Sequence, residues 1–327
     1  KFKKQHATTM PSSLVNILLF KPPLTKRYRI PSEIYHVQTS FGNQIAVTHI
    51  HRRGSNVTLL FSHGNAEDLN SAYYWMKKLS KELDVNVVGY DYTGYGENDG
   101  ECRRPDCYIV CPSRSGPRAH RVYIFYNLKT GSPSEIKCYA DIEAVYQDLV
   151  EEKGINPEQI VLYGRSLGSG PSCYLAAKTA SRDGRSVAGL ILHSPFTSVY
   201  RVVFDVGLTL LGDKFPNIDR LAKVKCPVCI IHGQKDKIVP FEHGMALYET
   251  LPKQCRADPI FVENMTHNYH GYEAEVAVME KLNHYLDYHI LARRLWMKQP
   301  KKRRRSIRRA KNIEAEESQG KLRLIVE

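Results

Sequence analysis

Long apolar runs are missing from this chain of 327 residues. No stretch reaches the roughly 18 apolar residues that a membrane-spanning helix needs, so no such helix is predicted. The apolar run at residues 14–20 is short, is interrupted by Asn16 and is followed by no small-residue cleavage site, which argues against a secretory signal. The sequence starts at Lys1, and Met10 is a candidate for the natural first residue. A cytoplasmic location is therefore expected.

A disulfide framework is not indicated either, because the eight cysteines are scattered through a chain long enough to bury a large core. Cys226 and Cys229 have C-x-x-C spacing, but they open the strand-like run CPVCIIHG, where residues three apart point to opposite faces and cannot share a metal. One other cluster leaves a zinc interpretation open, although its C-x4-C-x3-C-x8-H spacing fits no common structural site. It consists of Cys102, Cys107, Cys111 and His120. No metal and no cofactor are predicted.

Acidic residues are absent from residues 293–311, which contain 11 lysines and arginines. Subtracting these 11 charges from the net charge of +13 leaves +2, so the rest of the chain is nearly neutral. Such a charge run is typical of a disordered tail, and it favours peripheral contact with an anionic membrane surface. The run KKRRRSIRR also fits a nuclear localisation signal. Nucleic acid is not an expected partner. The alternative to an enzyme is nevertheless a protein that binds nucleic acid or anionic membranes through this tail.

Apolar runs alternate with helical stretches between residues 30 and 291, after a predicted β-hairpin at residues 35–51. Six later runs are too apolar for a sheet with one wet face and suit parallel strands covered on both faces. They span residues 57–61, 85–90, 160–163, 187–192, 228–231 and 259–262. Helices are expected over residues 69–83, 134–153, 167–181, 199–211, 243–251 and 273–291. The β-α-β order predicts a mostly parallel central sheet with helices on both faces.

The chain is thus predicted to have three parts: an N-terminal segment (residues 1–29), one α/β domain (residues 30–291) and the basic tail (residues 292–327). Residues 102–131 interrupt the domain, because connections in α/β units usually span ~2–6 residues and this one is roughly thirty residues long. The insert shows no helical period, and its excision is expected to leave the fold intact. The sequence does not indicate an oligomeric state.

The strand-like run at residues 160–163 leads into GRSLG, residues 164–168, and a helical stretch follows. This is the G-x-S-x-G pattern in the strand–turn–helix context that a nucleophile elbow requires. The turn is tight, so a Cβ at either flanking glycine would clash with neighbouring backbone. Ser166 is therefore predicted to be the nucleophile of a serine hydrolase with the α/β-hydrolase fold.

A serine hydroxyl needs a base to remove its proton, and this fold carries its triad in the chain order Ser, Asp or Glu, His. Asp236 directly follows a strand-like run in CIIHGQKDKIVP, so it is predicted to orient the histidine. His267 lies in the loop ENMTHN after the next strand and is the predicted general base, with His270 as the alternative. Rival acids follow no strand so directly; they are Asp205, Asp213 and Asp219.

An oxyanion hole needs two backbone N–H donors. Leu167, the residue after the nucleophile, is predicted to supply one of them. The other is expected from the loop SHGNA after the run at residues 57–61, with Asn65 as the first choice and Ala66 as the second. His63 and His232 each precede a glycine at a strand end, and both are interpreted as structural residues that hydrogen-bond loop backbone.

With these residues placed, the chain resembles the α/β-hydrolase domain-containing family whose animal members remove palmitate from proteins and which has relatives in plants and protists. The matching stretches cover most of residues 30–291 and include LLFSHGNAEDL, VVGYDYTGYGENDG, IVLYGRSLGSGPSCYLA and PVCIIHGQKDKIVPFEHGMALYE. The family's serine, aspartate and histidine fall on Ser166, Asp236 and His267. The resemblance implies hydrolysis of an acyl ester or thioester through an acyl-enzyme, an acylated protein or lipid as substrate, and palmitoyl-protein thioesterase as the activity.

Other enzymes of the same fold remain alternatives: a carboxylesterase, a lysophospholipase, or a serine-peptidase-like hydrolase related to prolyl oligopeptidases. The chain contains no propeller that would gate a peptidase of that type. Residues 196–211, FTSVYRVVFDVGLTLL, lie at the usual position of a cap. This apolar segment either lines an acyl channel or packs on the sheet.

Overall fold

The computed structural model describes residues 16, 19–23, 29–96, 132–181, 186–204, 213–268 and 271–292. Several features singled out in the sequence lie outside these residues: the insert at residues 102–131 with its cysteine cluster, Asp205, His270, the basic tail beyond residue 292 and most of residues 1–29. The division into three parts therefore stays a prediction.

Eight strands form one sheet in the order β1-β2-β4-β3-β5-β6-β7-β8. The strands are β1 (Ile34–Gln38), β2 (Gln44–Ile50), β3 (Thr58–Ser62), β4 (Asn86–Tyr90), β5 (Ile160–Arg165), β6 (Gly189–His193), β7 (Val228–Gly233) and β8 (Ile260–Val262). Strand β2 pairs antiparallel with β1 and β4, whereas all other neighbours pair parallel. The predicted hairpin, the six apolar strands and the mostly parallel sheet are confirmed.

Helices cover both faces of this sheet, as the alternation of apolar runs and helical stretches predicts. They are α1 (Leu69–Glu82), α2 (Glu135–Gln147), α3 (Ser169–Ser181), α4 (Val199–Phe204), α5 (Asn217–Leu221), α6 (Phe241–Thr250) and α7 (Gly271–Tyr285). On one face Leu60 of β3 packs in a cluster with α2, α3 and α6, and on the other face Leu59 and Phe61 pack in a cluster with α1 and α7. Successive strand residues point to opposite faces, so each core strand feeds both clusters.

Two details differ from the sequence-based expectation. Helix α5 was not predicted, because its five residues are too few to show a helical period. The helix expected over residues 199–211 is described only as far as Phe204, and the Val199 N–H donates to the Lys214 carbonyl on the far side of the gap. Phe196 and Val199 are buried in the core, so this part of the cap segment packs on the sheet.

Within the described ranges, no helix is both long and apolar enough to cross a membrane. The described histidines, cysteines and carboxylates also form no group of three or more that could hold a metal ion. Cys226 and Cys229 are both buried, and no disulfide joins them.

Candidate active site

Ser166 lies at the carboxyl end of β5, in a turn with a strained backbone. Its φ of +48° is in the left-handed region that residues with a side chain rarely adopt. A Cβ on Gly168 would lie 2.1 Å from the Ser62 carbonyl oxygen, and a Cβ on Gly164 would lie 2.5 Å from the Gly168 carbonyl oxygen. The expectation that both flanking positions exclude a side chain is confirmed, and the tight turn presents the serine ahead of α3.

The structure brings Ser166, His267 and Asp236 together, although they are far apart in the sequence. His267 Nε2 lies 3.0 Å from Ser166 Oγ, and His267 Nδ1 lies 2.7 Å from Asp236 Oδ2. A carboxylate can only accept a hydrogen bond, so the imidazole proton is on Nδ1 and the Nε2 lone pair faces the serine hydroxyl. In this tautomer the histidine is ready to take the serine proton.

Asp236 is held in place by the groups that surround both of its carboxylate oxygens. Its Oδ1 accepts the N–H groups of Ile238 and Val239, each at 2.9 Å, and its Oδ2 faces His267 Nδ1 and, at 3.4 Å, His232 Nε2. Burial raises the pKa of this fully enclosed side chain, but the hydrogen bonds from His232 and His267 outweigh burial and hold the pKa well below its usual range. Asp236 is therefore ionised and fixed in orientation.

Close packing of two loops brings the aspartate and the histidine within reach of each other. A Cβ on Gly233 would lie 2.1 Å from the Met265 carbonyl oxygen, so only glycine permits this approach. The same carbonyl accepts the N–H of Lys235 at 3.1 Å. The loop after β7 is thus joined to the loop after β8, and each presents one member of the group.

The two rival acids within the described residues, Asp213 and Asp219, do not take this place. Asp213 accepts the N–H groups of Tyr200 and Lys214 through one oxygen, and Asp219 lies in α5. The structural interpretation of the two other histidines is supported, since His63 Nδ1 lies 2.8 Å from the Gly64 carbonyl and His232 Nε2 lies 2.9 Å from the Val239 carbonyl. His232 also contacts Asp236, which the sequence did not indicate.

The two predicted oxyanion-hole residues lie on the loops expected to carry them. Leu167 follows Ser166 directly, in the helical turn Ser166–Gly168, and its side chain is buried. In the loop after β3, Ala66 has a φ of +58°, an unusual value for a residue with a Cβ. Their role as oxyanion donors stays a prediction.

The Asn65 side chain makes contacts that no sequence pattern indicates. Its Oδ1 accepts the Lys21 N–H at 2.9 Å and the Tyr95 hydroxyl at 2.7 Å, and its Nδ2 donates to the Leu19 carbonyl at 2.7 Å. The neighbouring Phe20 is 4% exposed and packs against the ring of Phe215. Residues 19–21 are therefore bound to the loop that carries Asn65.

A cavity of about 840 Å³ opens at a different place, where the first residues of β3 and β4 line it together with His49, His51 and Lys153. Ser166 lies at the opposite edge of the sheet, where the parallel strands end. Ligands of open parallel sheets bind outside the carboxyl ends of the strands, so the Ser166 group, and not this cavity, lies where such a fold places its ligands.

Known proteins are similar to this chain in sequence. Residues 134–293 match the prolyl oligopeptidase family (Peptidase_S9). The chain is 37% identical to human alpha/beta hydrolase domain-containing protein 17B over 238 residues, which are 72% of this chain and 69% of that protein. It is 33% identical to mouse alpha/beta hydrolase domain-containing protein 17C over 260 residues, which are 79% of this chain and 68% of that protein.

The fold recurs in solved structures. The Pf2001 esterase of Pyrococcus furiosus aligns with a TM-score of 0.58 at 14% identity, over 83% of this chain and 97% of its own. A likeness at this identity shows the fold alone, and it confirms the α/β-hydrolase fold that the elbow motif predicts. Because the 37% identity to protein 17B extends over 69% of that protein, the chain belongs to the alpha/beta hydrolase domain-containing protein 17 family and is a serine hydrolase.

Proposed function

We propose that the protein hydrolyses long-chain acyl thioesters or esters through an acyl-enzyme on Ser166, and that palmitoylated proteins are its substrates. The observation that carries the proposal is the chain of two hydrogen bonds from Ser166 Oγ through His267 to Asp236. The family membership supports a hydrolase, and the resemblance drawn from the sequence motifs supports the palmitoyl group.

His267 acts as general base in the first step. Ser166 Oγ attacks the carbonyl carbon of the acyl group while its proton passes to His267 Nε2. Asp236 stabilises the resulting imidazolium through the Nδ1 hydrogen bond. The thiol or alcohol leaves with that proton, and His267 then activates a water molecule that releases the fatty acid from Ser166.

The backbone N–H groups of Leu167 and Asn65 are proposed to stabilise the negative charge that develops on the carbonyl oxygen. Ala66, the second choice, is less suited because its N–H already donates to Asn65 Oδ1 at 3.1 Å. Leu167 is suited to this because it lies in the helical turn Ser166–Gly168, directly after the nucleophile. Asn65 is suited because its side chain is already bound by residues 19–21 and by Tyr95, which fixes the loop before a substrate arrives.

Acyl length and leaving group separate this proposal from its alternatives, because the same triad serves a short-chain carboxylesterase, a lysophospholipase or a peptidase-like hydrolase. We further propose that the basic tail attracts the enzyme to anionic membranes, where palmitoylated proteins reside. Each lysine or arginine near such a surface contributes about 1 kcal/mol. A peripheral membrane location follows from that proposal, and a nuclear one would follow from the alternative function of the same run.

Two assays test the proposal. A fluorophosphonate probe should label the unaltered protein, and labelling should be lost in Ser166→Ala and strongly reduced in His267→Ala, with Ser194→Ala as a control serine that also has a positive φ. The p-nitrophenyl esters from acetyl to palmitoyl, together with a palmitoyl-thioester peptide, should show activity that rises with acyl length. Persistent labelling of Ser166→Ala would refute the catalytic assignment, and a preference for acetyl or butyryl esters would refute the long-chain substrate.

A further inference from the structure

The guanidinium of Arg165 spans two loops that border the nucleophile. One of its terminal nitrogens forms an ion pair with Glu67, which lies in the segment between β3 and α1. The other terminal nitrogen donates to Asn268 Oδ1 at 3.1 Å and lies 3.5 Å from the His267 carbonyl. Because Arg165 directly precedes Ser166, a single side chain connects the elbow to the histidine loop and to the loop after β3.

Glu67 extends this connection to the backbone of the loop SHGNA. While its Oε1 binds Arg165, its Oε2 accepts the N–H of Gly64 at 2.6 Å. The contact is so close that a Cβ on Gly64 would lie 2.8 Å from Glu67 Oε2. Gly64 immediately precedes Asn65, the residue proposed to donate to the oxyanion. Movement of Glu67 would therefore move the donor loop.

Both side chains are sheltered from solvent, with Arg165 13% and Glu67 22% exposed. Burial lowers the pKa of the Arg165 guanidinium, and the negative charge of Asp236 acts in the opposite direction. An arginine suits this place because its planar fork offers several donors in fixed directions, whereas a lysine is a point charge that cannot serve both loops with the same geometry.

We propose that Arg165 and Glu67 are positioning residues of the hydrolase, which hold the oxyanion loop and the histidine loop at fixed distances from Ser166. The proposal rests on the proposed catalytic roles of Ser166, His267 and Asn65. The pair itself contacts no reacting atom and acts through Gly64 on one side and through Asn268 on the other.

A positioning role has a kinetic consequence that a purely structural role lacks. Donors and base must be placed to within about 0.5 Å to stabilise the transition state, and the bound ester does not depend on that precision to the same extent. Loosening the two loops should therefore lower kcat and leave KM nearly unchanged. A residue that only stabilises the fold would lower the fraction of active enzyme and leave kcat per active site unaltered.

The test compares Arg165→Gln, Arg165→Lys, Glu67→Gln and the double variant Arg165→Gln/Glu67→Gln. The probe substrate is the p-nitrophenyl ester that the unaltered enzyme turns over fastest, and active sites are titrated with fluorophosphonate. We expect Arg165→Gln to lower kcat per titrated site by about tenfold or more, which corresponds to about 1.4 kcal/mol, with KM within about threefold. Arg165→Lys should recover part of the loss, and the double variant should be no slower than Arg165→Gln, because both changes break the same connection.

Lys78→Gln is the matched control. Lys78 on α1 forms an ion pair with Glu275 on α7, and the two side chains are 20% and 26% exposed, similar to Arg165 and Glu67. This control should keep kcat per site unchanged. An unchanged kcat in Arg165→Gln, or additive losses in the double variant, would overturn the positioning role. If Arg165→Gln fails to fold, Glu67→Gln decides the matter, since its amide oxygen can still accept the Gly64 N–H while the ion pair is lost. Labelling of Ser166→Ala would instead refute the proposed function, which separates the two failures.

Discussion

Replacement of Asp236 by asparagine should switch the proton of His267 to the wrong nitrogen. In the unaltered protein one carboxylate oxygen accepts the N–H groups of Ile238 and Val239, and the other faces His267 and His232. Asparagine has a single acceptor oxygen, so its NH₂ group must face either the two backbone N–H groups or the two histidines. If the oxygen keeps the two backbone N–H groups, the NH₂ group faces His267 Nδ1. The imidazole proton then moves to Nε2. A protonated Nε2 can no longer accept the proton of Ser166.

The size of this effect follows from what the tautomer does. With the base inactive, kcat should fall by about 10⁴-fold, which corresponds to about 5.4 kcal/mol of transition-state stabilisation, because triad members act as a unit. The substrate does not contact Asp236, so KM should stay within a few fold. Steady-state hydrolysis of p-nitrophenyl esters measures both quantities, and circular dichroism melting checks the fold.

Melting in acid gives an independent arm of the same test. The folded-state pKa of Asp236 lies below the unfolded value of about 3.9, so the ionised carboxylate contributes stability that is fully present above that value. This contribution is lost as the pH falls through the folded-state pKa. The difference in melting temperature between the unaltered protein and Asp236→Asn should therefore shrink as the pH falls below about 4. A loss of kcat smaller than tenfold would refute the tautomer reasoning.

Two further predictions concern the elbow and the tail. Gly168→Ala places a Cβ 2.1 Å from the Ser62 carbonyl oxygen and should destabilise the fold by about 1–3 kcal/mol. The control is Gly154→Ala, whose Cβ meets no atom within 4 Å and which incurs only the strain of its positive φ. Gly168→Ala should lower the melting temperature by more than this control. Equal melting temperatures for the two variants would show that the elbow can relax. Removal of residues 293–327, which include the 11 lysines and arginines of residues 293–311, should weaken binding to phosphatidylserine vesicles and reduce its dependence on salt. Unchanged vesicle binding would place the membrane contact elsewhere.

Periodicity and chain order were sufficient to predict the strands and the longer helices. The apolar runs predicted β3 to β8 because strands buried on both faces have nearly uniform apolar composition, which is visible in a short window. The GRSLG segment predicted the elbow because neither of its two glycines leaves room for a Cβ, as the structure shows. Asp236 and His267 could be chosen by their places after the last two strands, since parallel strands bring their carboxyl ends to one edge of the sheet.

Contacts between side chains from different loops could not be predicted in the same way. Asn65 belongs to the loop SHGNA, yet its hydrogen bonds to residues 19–21 depend on where the N-terminal segment runs, and no local pattern encodes that path. Arg165 occupies the variable position of G-x-S-x-G, so the motif itself assigns it no role.

The variable positions of the motifs therefore hold information that the invariant pattern omits. The elbow geometry fixes where Ser166 stands, but it leaves open how the loops carrying Gly64 and Asn268 are held beside it. In this chain that requirement is met by the ion pair of Arg165 with Glu67, which joins three segments through one sheltered contact. A different residue at position 165 would need another way to fix both loops, so the catalytic rate should depend on positions 67 and 165 jointly.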